Sequence, residues 1–220
     1  MTTDAVQQLV DDARDSTRRA PAGAIALAFA PPRKPGQDAD AHARSVVQLW
    51  DDEQLQARLL RDVAREPFID QERLIRYLQR ANLATKPAVL WEAFTSNRLA
   101  PGTLTPIIGG AWCYSLPGSL PFDQWRQLFA EAGYTDDGHA VPRPRKPVEL
   151  WRGAPTATRA GHYWTSHRAY AERYVTARTG QLWRTLAPPT ALMCRATAWS
   201  TDGFDEYAVD TRGLTITPAT

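Results

Sequence analysis

Residues 148–153 read Val-Glu-Leu-Trp-Arg-Gly, and the fold turns on whether this run is a strand. It alternates as a strand does: Val148, Leu150 and Arg152 fall on one face, Glu149 and Trp151 on the other, and Gly153 stands where the backbone can turn. An arginine closing an apolar strand can set a planar guanidinium against phosphate oxygens in a paired hydrogen-bonding fork, which lysine cannot reproduce. Arg152, with Gly153 beside it, is therefore a candidate phosphate grip. A solvated arginine, or one paired with a surface carboxylate, is the plainer alternative.

Upstream of this run the pattern is helical. Val6, Leu9, Val10 and Ala13 form a stripe within 4–19, and the apolar run 22–30 is followed by Pro31-Pro32-Arg33-Lys34-Pro35-Gly36, a loop. Helical periods are expected over 41–64 (with a break near Asp51-Asp52-Glu53), over 70–82 with Leu74, Ile75 and Leu78 inward, from Pro87 through Phe94, and over 121–132 with Phe122, Trp125, Leu128 and Phe129 on one face; 103–115 is apolar, with Gly109-Gly110 allowing a close helix approach or a break. The tryptophans at this spacing are expected to pack a core. The stretch 134–147 then brings a change of pattern; its alternating prolines favour a stiff, extended connection. The expected domains are a helical one over 1–138, a proline-rich linker over 139–147, and a second domain over 148–220.

Downstream, short strands dominate. His162-Tyr163-Trp164-Thr165-Ser166 leads into a helix over 167–177; 181–186, 191–197 and 205–210 read as strands, the last with Glu206, Ala208 and Asp210 on one face. The fold class expected is α+β: helices first, then a small mixed sheet carrying one prominent helix.

Charge narrows the function classes. The chain of 220 residues has a net charge of +2, unevenly spread: −3 over 1–138, +3 over 139–147 and +2 over 148–220. That field is weaker than nonspecific DNA binding usually needs. Cys113 and Cys194 have no partner spacing for zinc or a redox pair, and His162 and His167 lack further ligands, so no metal is expected. Two isolated thiols fit a reducing compartment, and the location expected is cytoplasmic. Arg18-Arg19 ahead of 22–30 imitates a leader. The acidic residues before it, the shortness of the run and Pro31 argue for an internal segment, and no membrane association is expected.

Three features of the last domain occur in order: Arg152 closing a strand, the step Tyr163-Trp164-Thr165-Ser166 before a helix, and Glu206 in Phe-Asp-Glu-Tyr-Ala-Val-Asp. Over roughly the last 75 residues the set resembles the arginine–serine–glutamate class of mono-ADP-ribosyltransferases. The resemblance implies NAD as substrate, held at its phosphates by Arg152. Thr165 and Ser166 would support the nicotinamide-ribose pocket, and Glu206 would act on the ribose as the catalytic carboxylate. Tyr163, Trp164, Tyr170 and Tyr174 are candidate aromatic walls for the cationic nicotinamide ring. It further implies an NAD-dependent ADP-ribosyltransferase, a toxin-like effector of bacterial or phage type. Its acceptor, whether protein, nucleic acid or small molecule, is unassigned, and the helical domain would meet a partner or cover the cleft. The sequence departs from the family pattern twice: Phe204 stands two residues before Glu206, where relatives carry an acceptor-activating Glu or Gln, and Trp164 replaces the first serine. An NAD glycohydrolase, with water as acceptor, and a non-catalytic binding module are the alternatives. Each feature also has an ordinary role available: Thr165-Ser166 as a helix N-cap, Tyr170 and Tyr174 as helix packing, Glu206 as a salt-bridged strand residue.

Overall fold

The computed structural model describes residue 38 and residues 53–115, 118–178, 180–197 and 204–219. The helix expected over 4–19, the apolar segment 22–30, the loop 31–36 and the first part of the helix over 41–64, Trp50 included, lie outside the described residues. The fold is mixed α+β, with six α-helices and two small sheets among the described residues.

The chain divides into two compact units: one reaches Thr103 and includes Tyr114–Pro121; the other joins Leu104–Cys113 to Phe122–Thr220. The first holds α1 (Glu53–Arg65), α2 (Gln71–Arg80) and α3 (Thr85–Thr95). Asp70 caps α2, its carboxylate accepting from Arg73 N at 2.8 Å. The buried Gln56 closes the other end of α2, donating to Arg80 O and accepting from Asn82 N. Leu59, Val63, Leu74, Leu78, Val89 and Leu90 are buried, whereas Ile75, expected inside, is 37% exposed: the helical stripe on α2 is narrower than the apolar content of the sequence.

The second unit carries α4 (Ile108–Cys113), α5 (Phe122–Ala132), both sheets and α6 (Arg168–Arg178). Gly133, at φ 76°, ends α5 in the left-handed conformation that glycine tolerates. One sheet has the order β2-β1-β6-β7-β4, from β1 (Thr135–Asp136), β2 (His139–Ala140), β4 (Tyr163–Trp164), β6 (Leu192–Ala196) and β7 (Glu206–Val209). Its β1–β6 pair is parallel and the others antiparallel. The other sheet is antiparallel, in the order β3-β5-β8, from β3 (Val148–Ala154), β5 (Gln181–Ala187) and β8 (Thr217–Pro218). Leu150, Ala154, Trp183 and Ala187 of the second sheet share one core with Trp164, Leu192, Tyr207 and Val209 of the first.

The expected boundary at 138/139 is corrected by this arrangement. Residues 104–113 and 122–138 belong with the strands, and His139–Ala140, expected in the linker, is a strand paired with β1. Asp137 and Gly138, at φ 47° and 80°, make the two-residue turn between them. Only the stretch after Ala140 matches the expected extended connection; Arg143, Arg145 and Lys146 in it are exposed.

Candidate active site

Arg152 lies on the face of β3 that bears Leu150 and Ala154, both fully buried, so the alternation turns its side chain toward the other sheet. There Nη1 donates to Tyr163 O at 2.7 Å. The guanidinium also lies against the Cα of Gly161 so closely that a Cβ there would collide with it, the guanidinium carbon being 2.8 Å away. Only glycine at 161 leaves this arginine its place.

On the opposite face of β3, α6 packs directly over Gly153. A Cβ at 153 would collide with Ala171 O and stand 2.8 Å from Val175 N. Gly153, expected in the cofactor site, therefore serves the approach of helix to strand. Trp151 shares that face and has the guanidinium carbon of Arg168 5.4 Å from its ring centroid.

The step before α6 is tied to both sheets. Trp151 and Thr165 exchange backbone hydrogen bonds, Trp151 N to Thr165 O at 2.8 Å and Thr165 N to Trp151 O at 3.0 Å. On its other side β4 pairs antiparallel with β7, Tyr163 opposite Ala208 and Trp164 opposite Tyr207, a register that brings Thr165 level with Glu206. The half-buried Glu206 opens β7 opposite Ala196 of β6.

What holds the step is a residue the sequence did not single out. Asp205 is 5% exposed, and its carboxylate accepts three hydrogen bonds: from Thr165 Oγ1 at 3.2 Å, from Ser166 N at 2.9 Å and from Ser166 Oγ at 2.8 Å. Thr165 Oγ1 accepts in turn from His167 N at 3.1 Å, close to the capping role open to it. A buried carboxylate held by three donors fixes the conformation of the loop and the start of β7 together.

The four aromatic candidates separate. Trp164 is not a wall: it is 2% exposed, packed in the core between the sheets, with Nε1 donating to Gly161 O at 2.7 Å. Tyr163 turns toward α4, where its ring stacks on Trp112 at 4.8 Å and its hydroxyl donates to Trp112 O at 3.0 Å; its face is spent on packing. Tyr170 and Tyr174, both half-buried on α6, share a hydroxyl–hydroxyl hydrogen bond of 3.0 Å. Tyr170 also stacks on Phe204, with centroids 4.9 Å apart.

His162 stacks face to face on Phe122 at 3.4 Å, and its Nδ1 lies 3.0 Å from Val209 O. Burial holds its pKa below the ordinary 6.5, against the pull of the Val209 carbonyl and Asp210; Arg152 and Arg212 push the same way as burial. Cys194 is fully buried, its thiol pushed up to about 12 by desolvation.

A cavity of about 670 Å³ in this unit is lined by Glu149, Arg184, Leu186, Thr215 and Thr217 among others, none of them a residue of the motif. Among the described residues no three His, Cys, Asp or Glu side chains gather as a metal site, and no helix is long and apolar enough to cross a membrane. No protein-family model, no curated protein and no solved structure matches the chain.

Proposed function

We propose that the second unit cleaves the nicotinamide–ribose bond of NAD and transfers the ADP-ribose to an acceptor. The observation that carries this is the succession of backbone contacts β3–β4–β7, through which Arg152, Thr165-Ser166 and Glu206 stand on three neighbouring segments although 54 positions separate the first from the last. Within this reading the guanidinium of Arg152 holds the phosphates, the only strong anion-binding group the three motif segments offer. Ser166 and the α6 start support the nicotinamide ribose.

Glu206 has the chemical part. Departure of neutral nicotinamide leaves positive charge on the ribose, and a carboxylate that accepts from a ribose hydroxyl and faces C1′ stabilises that charge. No acid is needed for the leaving group, which departs with its electron pair as a neutral ring. Water in place of another acceptor gives the hydrolytic reaction, and Phe204, where an activating carboxylate would stand, keeps that second reading open.

Nicotinamide release from NAD by the purified chain tests the proposal. Glu206→Gln is expected to lower kcat by about 100-fold or more, corresponding to about 3 kcal/mol of lost transition-state stabilisation, with NAD affinity nearly kept. Arg152→Lys is expected to act mainly on KM. Equal release by wild type and Glu206→Gln would sink the assignment.

A further inference from the structure

We infer that the acceptor is a nucleobase, presented in a single strand or as a free nucleotide; the inference rests on the NAD-cleaving role proposed above. It starts from what replaces a carboxylate two residues before Glu206. In an extended run, residues 204 and 206 share a side, about 7 Å apart. Phe204 is half-buried, stacked on the half-buried Tyr170 at 4.9 Å and 25°. The exposed His167 meets it edge-on at 5.0 Å, and the guanidinium carbon of the exposed Arg173 lies 5.2 Å from the Phe204 centroid and 6.0 Å from that of Tyr170. Aromatic rings with an arginine guanidinium over them, left partly in water, are a surface on which unpaired bases stack, on the rings or on the guanidinium plane itself, every base offering a π face.

The chemistry of the acceptor agrees. An arginine side chain has no lone pair to offer until it loses a proton, which asks for a carboxylate nearby. A base ring nitrogen already has one. In the step inferred, that lone pair forms the new bond to C1′ of the ribose while the bond from C1′ to the nicotinamide nitrogen breaks, its electron pair leaving with neutral nicotinamide. The positive charge of the nicotinamide ring of NAD passes to the base, which keeps it or sheds a proton from one of its N–H groups to water. Phe204 needs to orient the acceptor, not to deprotonate it.

The test follows label and nicotinamide together. The full chain is incubated with NAD labelled in its adenylate phosphate and with four acceptors in separate arms: mixed-sequence single-stranded DNA and RNA, the same sequences as duplex, the nucleoside monophosphates, and polyarginine. Base-linked label is expected with the single strands or the monophosphates, the two arms telling which source is used, and about tenfold less with duplex, whose bases are already stacked. Phe204→Ala is expected to lower the ratio of base-linked label to nicotinamide released by about tenfold, and Phe204→Tyr to restore it. Arg173→Gln, at an exposed position that folding tolerates, lowers the same ratio and serves should Phe204→Ala fail to fold. Nicotinamide released with label only in free ADP-ribose or on polyarginine overturns the nucleobase inference alone. A ratio unmoved by both Phe204→Ala and Arg173→Gln does the same. No nicotinamide in any arm overturns the NAD-cleaving role and this inference with it.

Discussion

Asp205 joins two segments 39 and 40 positions apart in the chain, taking hydrogen bonds from Ser166 and Thr165 on a carboxylate that is almost out of water. Hydrogen bonds to a charged group are each stronger than neutral ones, and removing the acceptor leaves donors stranded in a buried place. Asp205→Ala is therefore expected to destabilise the fold by about 2–4 kcal/mol, and Asp205→Asn by less, since the amide keeps one acceptor oxygen. Urea unfolding of the two variants measures the difference; equal losses would show that the one acceptor oxygen the amide keeps contributes nothing without the charge. Side-chain roles of this kind were not legible in the sequence. Arg152, Ser166 and Glu206 stood out because strand alternation and their order could be read locally. Asp205, one position from Glu206, did not, because its donors come from another part of the chain. Trp164 misled for the converse reason: a tryptophan beside a motif resembles a ring-binding wall until the packing between two sheets claims it.

Elements were more legible than side chains, and the exceptions have local causes. The strand over 148–153 extends to Ala154, the helix expected over 167–177 spans Arg168–Arg178, and the strands at 181, 191 and 205 begin within a residue of their expected starts. Period-two and helical patterns are carried by neighbours in sequence, so these elements show themselves. The β1–β2 hairpin was missed although Asp137-Gly138 is a two-residue turn signal, since the prolines after it drew the whole stretch into a linker. The contact between α6 and β3 is set by an absence, the missing side chain at Gly153. Gly153→Ala places a methyl group against the backbone of Ala171 and Val175, which cannot step aside as a side-chain end would. A loss of about 3 kcal/mol is expected, against about 1 kcal/mol for Gly133→Ala, where only the left-handed backbone objects and no atom lies within 4 Å. Thermal or urea midpoints of both variants test the pair; a milder effect at 153 than at 133 would mean that the helix does not press on the strand.

At the scale of the molecule the division into units was the least legible feature, since it depends on which residues pack together rather than on any local pattern: 104–113 and 122–138 are helical or loop-like in sequence yet join the strands. Titratable groups report on the two units separately. In the first, Lys86 is 4% exposed and desolvation lowers its pKa from 10.5 to about 8. Between these values the unfolded chain binds the proton and the folded one does not, so stability rises with pH, by about 1 kcal/mol per pH unit. From pH 8 to 9 this gain is expected to stand clear. Above 9 it is opposed by Cys194, whose thiol, raised from 9.0 to about 12, stays protonated in the folded state and favours unfolding as pH climbs. In the second unit the depressed His162 works at the acid end. Below its ordinary 6.5 the unfolded chain takes up a proton that the folded state refuses, so stability falls as pH drops from there. Asp210 follows lower still: Arg212 holds its carboxyl below 3.8, and its contribution goes as pH falls through that lowered value. Lys86→Met should remove the slope between pH 8 and 9 and leave the acid side untouched. His162→Phe, which keeps a ring against Phe122, should flatten the decline below 6.5 and leave the alkaline side untouched. Urea midpoints across pH 5 to 9 measure both. Where the units unfold in separate transitions, each variant should move one transition only, and a Lys86→Met curve parallel to wild type between pH 8 and 9 would show that this lysine keeps its ordinary affinity for the proton in the folded chain.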